Sequence, residues 1–205
     1  YNCNMIEKHY WKIKQAALNI DLCVVSKHHS IEEIQSYYDV GERIFAENRA
    51  AELIFKANAL PKDIAWHYIG HLQRNKVKEI LPIVSCIQSL DNIALAKVIE
   101  KEATKLNRKV DVLIELHLAD EDTNKSGLDP IDVETFTNFL LQECPHLSIQ
   151  GLMTMGPHTE DTARIHEVFA KAQDIFKHLQ EIFGKQYFHT LSMGMSHDYP
   201  IAIEH

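Results

Sequence analysis

Residues 22–27 read Leu-Cys-Val-Val-Ser-Lys, LCVVSK, and His28, His29 and Ser30 follow. The apolar and β-branched residues suit a short buried strand, yet the run ends on a primary amine. A lysine commonly closes a strand by extending its stem along apolar surface and its charge into water. An amine held at the mouth of a barrel, partly withdrawn from water, can instead attack a carbonyl. What the other strands carry at their corresponding ends separates the two readings.

Similar short runs recur along the chain, at residues 43–45 (RIF), 66–69 (WHYI), 83–89 (IVSCIQS), 110–116 (VDVLIEL), 148–154 (SIQGLMT) and 189–192 (HTLS). Helical patterns separate them. SIEEIQSYYDVG sets Ile31, Ile34 and Tyr38 on one face, with Ser30 and Glu33 spaced as a capping box and Gly41 as a stop. ENRAAELIFKANAL and LDNIALAKVIEKEATKLN are rich in helix formers with apolar residues three and four apart. Asp129 and Pro130 read as the N-cap and first position of another helix, and residues 161–183 repeat the pattern.

Strand and helix alternating in this way predict a parallel sheet with helical crossovers. Runs apolar on both sides suit strands covered on both faces. The first strand is not followed by G-x-G-x-x-G, so the dinucleotide-binding open sheet is set aside. The expected fold is α/β, a (βα)8 TIM-type barrel preceded by an extra helix from Tyr1 to about Asn19. Residues 1–205 are read as a single domain. Seven strands can be counted, and the eighth is missing.

Composition narrows the function. The chain is 45% apolar and 24% charged, its net charge is -8, and its mean hydropathy is -0.23. The negative balance argues against nucleic acid or an anionic membrane as the main partner, since both demand clustered Lys and Arg. No apolar run approaches the roughly 18 residues of a membrane span. The start, YNCNMIEKHYWK, lacks a secretory layout and an initiator Met, so the sequence is expected to begin inside a longer chain. Cys3, Cys23, Cys86 and Cys144 form no C-x-x-C pair and read as reduced thiols of a cytoplasmic protein. Thirteen histidines invite a metal site, but HYIGH at 67–71 has no acid between its histidines and no third ligand at a fitting spacing. No metal is expected.

In a barrel, chemistry gathers where strands end. There this sequence carries Lys27, Glu47-Asn48-Arg49, His71 with Gln73 and Asn75, Asp91, and the segment Ser192–Ser196. Some of these have plainer readings: His71, Gln73 and Asn75 as helix caps, and Glu47-Asn48-Arg49 as a helix's first turn. Gly194 between two serines, after the seventh strand, lies where barrels commonly bind phosphate. An amine after strand one and a phosphate cup after strand seven are neighbours across the closing seam. Together they suit a phosphorylated aldehyde, of which pyridoxal 5′-phosphate (PLP) is the commonest cofactor.

The segments VVSK (24–27), FAENRAAEL (45–53), WHYIGHLQRNK (66–76), IQSLD (87–91), KSG (125–127), GLMTM (151–155) and LSMGMSHDYPIAI (191–203) closely resemble the pyridoxal-phosphate homeostasis protein family in its own order. The resemblance implies an alanine racemase-type barrel that binds PLP without a known catalytic reaction. It implies that Lys27 is the Schiff-base lysine, that Asn48 and Met153 line the ring pocket, and that Ser192, Gly194 and Ser196 meet the phosphate. PLP-dependent apoenzymes are the implied recipients of the cofactor. Ala46 stands where the family usually has glycine, and His117 where it commonly has asparagine. The family continues into a V-R-I-G strand whose arginine faces the pyridine nitrogen, whereas this sequence ends at Glu204-His205. It is therefore expected to be part of a longer chain.

A related enzyme is the alternative: racemases and decarboxylases share the barrel but add a second, mostly β domain. Such a domain brings a group to the opposite ring face, and these 205 residues leave no room for one. A Schiff-base aldolase would gain nothing from the serine-flanked glycine.

Overall fold

In the computed structural model, residues 3–119 and 126–205 are described, with side chains from Lys8 onward. The chain begins with α1 (Cys3–Ala16), then alternates through β1 (Val24–Val25), α2 (Ile31–Asp39), β2 (Ile44–Glu47), α3 (Ala50–Ala59) and β3 (Ala65–Tyr68). A 3₁₀ turn leads into the short α4 (Val77–Ile80), followed by β4 (Val84–Leu90), α5 (Ile93–Lys105) and β5 (Val110–Leu116). The remaining elements are α6 (Val133–Glu143), β6 (Leu147–Thr154), α7 (Thr162–Phe183), β7 (Thr190–Ser192) and α8 (Tyr199–Ile203).

Local chemistry explains the helix starts. The capping box opens α2: Ser30 Oγ accepts from the Glu33 N–H at 3.2 Å, and Glu33 Oε2 accepts from the Ser30 N–H at 2.9 Å. Asn92 caps α5 by accepting from the Leu95 N–H at 2.8 Å, and Asp161 caps α7 through the N–H of Ala163 and Arg164. Asp129 caps the 3₁₀ turn Pro130–Asp132 that feeds α6, as its sequence predicts.

The seven strands form one parallel sheet in sequence order, β1 to β7, with β1 and β7 at its edges among the described residues. The sheet is curled into an unclosed TIM-like barrel. Gln88 on β4 bonds directly to Ser192 on β7, 2.7 Å away. In a flat sheet three strand spacings would hold their backbones about 14 Å apart, so a contact this short across the concave side requires curling.

Side chains alternate between the two faces, as a strand's period of two dictates. Phe45, Ile87, Ile114 and Leu152 turn outward and build the main core with α3, α5, α6 and α7, where Leu53, Ile99, Leu140 and Phe169 are fully buried. Cys86, Leu113 and Met153 form a separate small cluster. Nearer the strands' C-terminal ends the concave side turns polar, with Gln88, His67, Glu115 and Ser192. A polar interior on a parallel sheet carries a desolvation cost unless its groups are paired. Its location marks the functional end of the fold.

Candidate functional site

Lys27 lies two residues past the end of β1 and is half-buried. The strand is short, but its exit is firmly set. The Ser26 N–H donates to the Ala46 carbonyl at 2.9 Å, and Ser26 Oγ donates to Ala46 O at 3.1 Å and to Glu47 Oε1 at 3.0 Å. One residue beyond Lys27, His28 takes φ +66, and the His29 N–H closes the turn onto Ser26 O. Left-handed backbone is uncommon outside glycine, though histidine tolerates it better than most residues. Among the described residues, the Lys27 amine has no ion-pair or hydrogen-bond partner.

Behind this exit lies a buried charge pair. Lys56 on α3 is only 5% exposed and donates to Ser26 O at 2.8 Å while pairing with the fully buried Glu47. Glu52 stands 3.6 Å from the same ammonium. Glu47 therefore faces α3 and is not at the mouth, contrary to the sequence expectation. Its place in the strand's alternation turns it outward, and burial obliges it to find a cation. Arg49 is the N-cap of α3 without a side-chain cap bond and is exposed, so the Glu47-Asn48-Arg49 segment does not cap through its side chains.

Asn48 is half-buried just past β2, and its carbonyl accepts from the Tyr68 hydroxyl at 3.1 Å. Gly70 packs against this backbone, where a Cβ would strike the Asn48 carbonyl and Cα. The Ile69 N–H donates to Glu47 O at 2.9 Å, so the exits of the first three strands lie level on one rim. His71, Gln73 and Asn75 are exposed, and Gln73 precedes the 3₁₀ turn without capping it.

On the other side of the barrel Met153 is 3% exposed, held between Cys86 and Leu113. Glu115 pairs with Met153 in the β5–β6 register, and Met153 with Ser192 in β6–β7. Burial pushes the Glu115 carboxyl up to about 7, opposed by a hydrogen bond from Ser126 Oγ at 3.0 Å and aided by the Asp91 charge. Asp91 Oδ2 in turn accepts from the Gly127 N–H at 3.0 Å, tying the segment after β5 to the end of β4. Lys125 of the KSG motif lies outside the described residues.

Past β7 the chain turns sharply. Gly194 has φ +92, and a Cβ there would press on Ala202 and Tyr199, so glycine alone fits the turn. Buried Asp198 holds it from below, with Oδ1 accepting from the Met195 N–H at 2.5 Å and Oδ2 3.3 Å from His197 Nε2. Among the described residues the backbone N–H groups of Gly194, Ser196 and His197 have no acceptor, and Ser196 is exposed. Lys27 and this turn both lie beyond the C-terminal ends of their strands, on one rim.

Sequence reasoning missed several members of this region: Gln88, Glu115, and the Ser26–Glu47–Lys56 network. A signal existed. Gln88 and Glu115 are each a polar residue inside an otherwise apolar run, and such residues in buried strands are paired or functional.

A barrel of parallel strands with an unpaired lysine after the first and a glycine turn after the seventh defines the alanine racemase-type class. Residues 2–205 match the family described as alanine racemase, N-terminal domain. The chain is 40% identical over 174 residues to the pyridoxal phosphate homeostasis protein of Aquifex aeolicus, covering 84% of this chain and 75% of that one. Solved structures of PipY from Synechococcus elongatus superpose at TM-scores of 0.88 without PLP and 0.87 with PLP bound, at 33% and 32% identity. They cover 97% of this chain and 93% and 92% of theirs. The chain belongs to the pyridoxal phosphate homeostasis protein family.

Among the described residues, no helix is long and apolar enough to cross a membrane.

Proposed function

We propose that residues 1–205 act as one PLP-binding domain in the cytoplasm, carrying the cofactor for PLP-dependent apoenzymes with no strong catalysis of its own. PLP supplies an aldehyde that condenses with a primary amine and a phosphate that needs hydrogen-bond donors. The observation that carries this reading is that an unpartnered, half-buried Lys27 and the Gly194 turn with its free N–H groups share one rim. Lys27 would hold the aldehyde carbon. Asn48 and Met153 would flank the ring, and Gly194 and Ser196, at the end of the strand that finishes on Ser192, would receive the phosphate. PipY, a relative of this fold and length, has PLP bound.

A fold-type III PLP enzyme, a racemase or decarboxylase, is the second reading. Glu115 favours it, since a buried carboxyl that titrates at about 7 is suited to proton transfer. The carrier reading needs no such acid–base group.

The test is borohydride reduction of the protein incubated with PLP, followed by peptide mass mapping. The phosphopyridoxyl mass is expected on Lys27, and Lys27→Ala is expected to lose both the mass and the yellow colour while keeping its melting temperature. A label spread over surface lysines, or retained in Lys27→Ala, would sink the proposal.

A further inference from the structure

Three side chains from three strands join in one hydrogen-bonded chain across the inside of the barrel. Ser192 Oγ at the end of β7 donates to Gln88 Oε1 on β4 at 2.7 Å. The other end of that amide, Gln88 Nε2, lies 2.8 Å from His67 Nδ1 on β3 and 4.0 Å from Cys23 Sγ before β1.

The chain has a direction. An amide nitrogen only donates, so His67 Nδ1 must accept, and the neutral ring carries its proton on Nε2. Burial keeps the ring neutral by holding its pKa down to about 4. The amide's NH₂ thus faces β3 and its carbonyl faces β7, and a neutral His67 of this tautomer is the partner that matches. The carbonyl then takes the one proton of the Ser192 hydroxyl. Toward a ligand Ser192 has only lone pairs left, and an anionic oxygen needs donors. The donors are on the far side of the turn, at Gly194 and Ser196.

β7 is three residues long, and Gln88 on β4 anchors its last residue from across the sheet. We propose that Gln88, oriented by His67, is a positioning residue that holds Ser192 and thereby sets the Gly194–Ser196 turn for a phosphate, with Ser192 bracing the cup and not donating to the anion. This inference rests on the PLP reading above.

The experiment compares PLP with pyridoxal, which has the aldehyde but lacks the phosphate. Binding of each is titrated to wild type, Gln88→Leu and Gln88→Glu. Loss of one buried hydrogen-bonded brace is expected to weaken PLP about tenfold in Gln88→Leu, with pyridoxal changed less than about twofold on the same scale. Gln88→Glu keeps an acceptor for Ser192 and is expected to restore most of the PLP affinity. Equal weakening of both ligands, or no weakening, overturns the proposal. Nitrogen-15 NMR of the ligand-free protein gives an independent reading. The expected result is a His67 with bare Nδ1 and protonated Nε2, and the opposite tautomer overturns the brace whatever the ligand does. A wild type that binds no PLP while showing the expected tautomer would instead locate the failure in the PLP reading, and the phosphate role of the brace would fall with it.

Discussion

Ser26 Oγ lies 3.0 Å from Glu47 Oε1, and through that carboxylate the residue before Lys27 is joined to the ammonium of Lys56. Lys56 also donates to the Ser26 carbonyl, so the peptide leading into Lys27 is gripped from both its side chain and its backbone. A buried pair of this kind adds little net stability over an apolar equivalent, but removing one partner strands the other charge.

Lys56→Met is expected to destabilise the fold by about 3–5 kcal/mol, because Glu47 would remain buried without its cation. Adding Glu47→Gln to Lys56→Met is expected to recover most of that loss. Urea unfolding of the single and double variants checks both. A single variant as stable as wild type would show that Glu47 escapes to water.

Glu115 and His67 impose opposite pH dependences. The unfolded Glu115 loses its proton near 4.5, but the folded one keeps it to about 7. Over that window the unfolded state is progressively favoured, and the site opposes folding by about 3 kcal/mol once pH exceeds 7. The unfolded His67 takes a proton near 6.5, whereas the folded ring waits until about 4. Its contribution is present above pH 6.5 and is lost as pH falls, by about 3 kcal/mol at the acid end. Glu115→Gln is therefore expected to match wild type near pH 4 and exceed it at pH 8. Chemical denaturation across that range gives the answer, and parallel curves for the two proteins would contradict it.

Gly70→Ala is expected to cost about 1–3 kcal/mol, since the new methyl group meets the fixed Asn48 backbone at the ends of β2 and β3. The same substitution is expected to reduce PLP retention by displacing Asn48. A thermal melt with paired absorbance measurements would register both effects.

With amino acids added, the PLP-loaded protein is expected to show at most slow transamination and no brisk racemisation. Exchange of the substrate α-proton for deuterium, followed by NMR, measures this directly. Rapid exchange abolished by Glu115→Gln would establish the enzyme reading in place of the carrier.

Local and periodic features were legible in the chain. The alternation of apolar runs and helix patterns matches the seven strands, and VDVLIEL coincides with β5 at both ends. The Ser30/Glu33 cap, the Asp129-Pro130 start and the Gly41 stop, with φ +110, were equally readable. Each depends on residues within a few positions of one another, where backbone preference and side-chain hydrogen bonding act without help from the rest of the fold. Lys27 and the Gly194 turn could be assigned to one rim because parallel strands all end on the same face.

Facing was harder to read. Glu47 and Asn48 are adjacent in sequence, yet Glu47 turns to Lys56 in the helix layer. A single strand cannot say which of its two faces will meet α3. Ser192 and Gln88 are 104 positions apart, and no spacing rule connects them. Curling of the sheet creates their contact, along with the desolvation that keeps His67 neutral and raises the Glu115 carboxyl to about 7. The sequence alone determined the strands, the helix ends and the order of the residues at the rim, because those follow from short-range chemistry. The tertiary structure alone decided which polar groups are buried together and which proton each one holds, because burial and pairing are set only when distant strands close around a common interior.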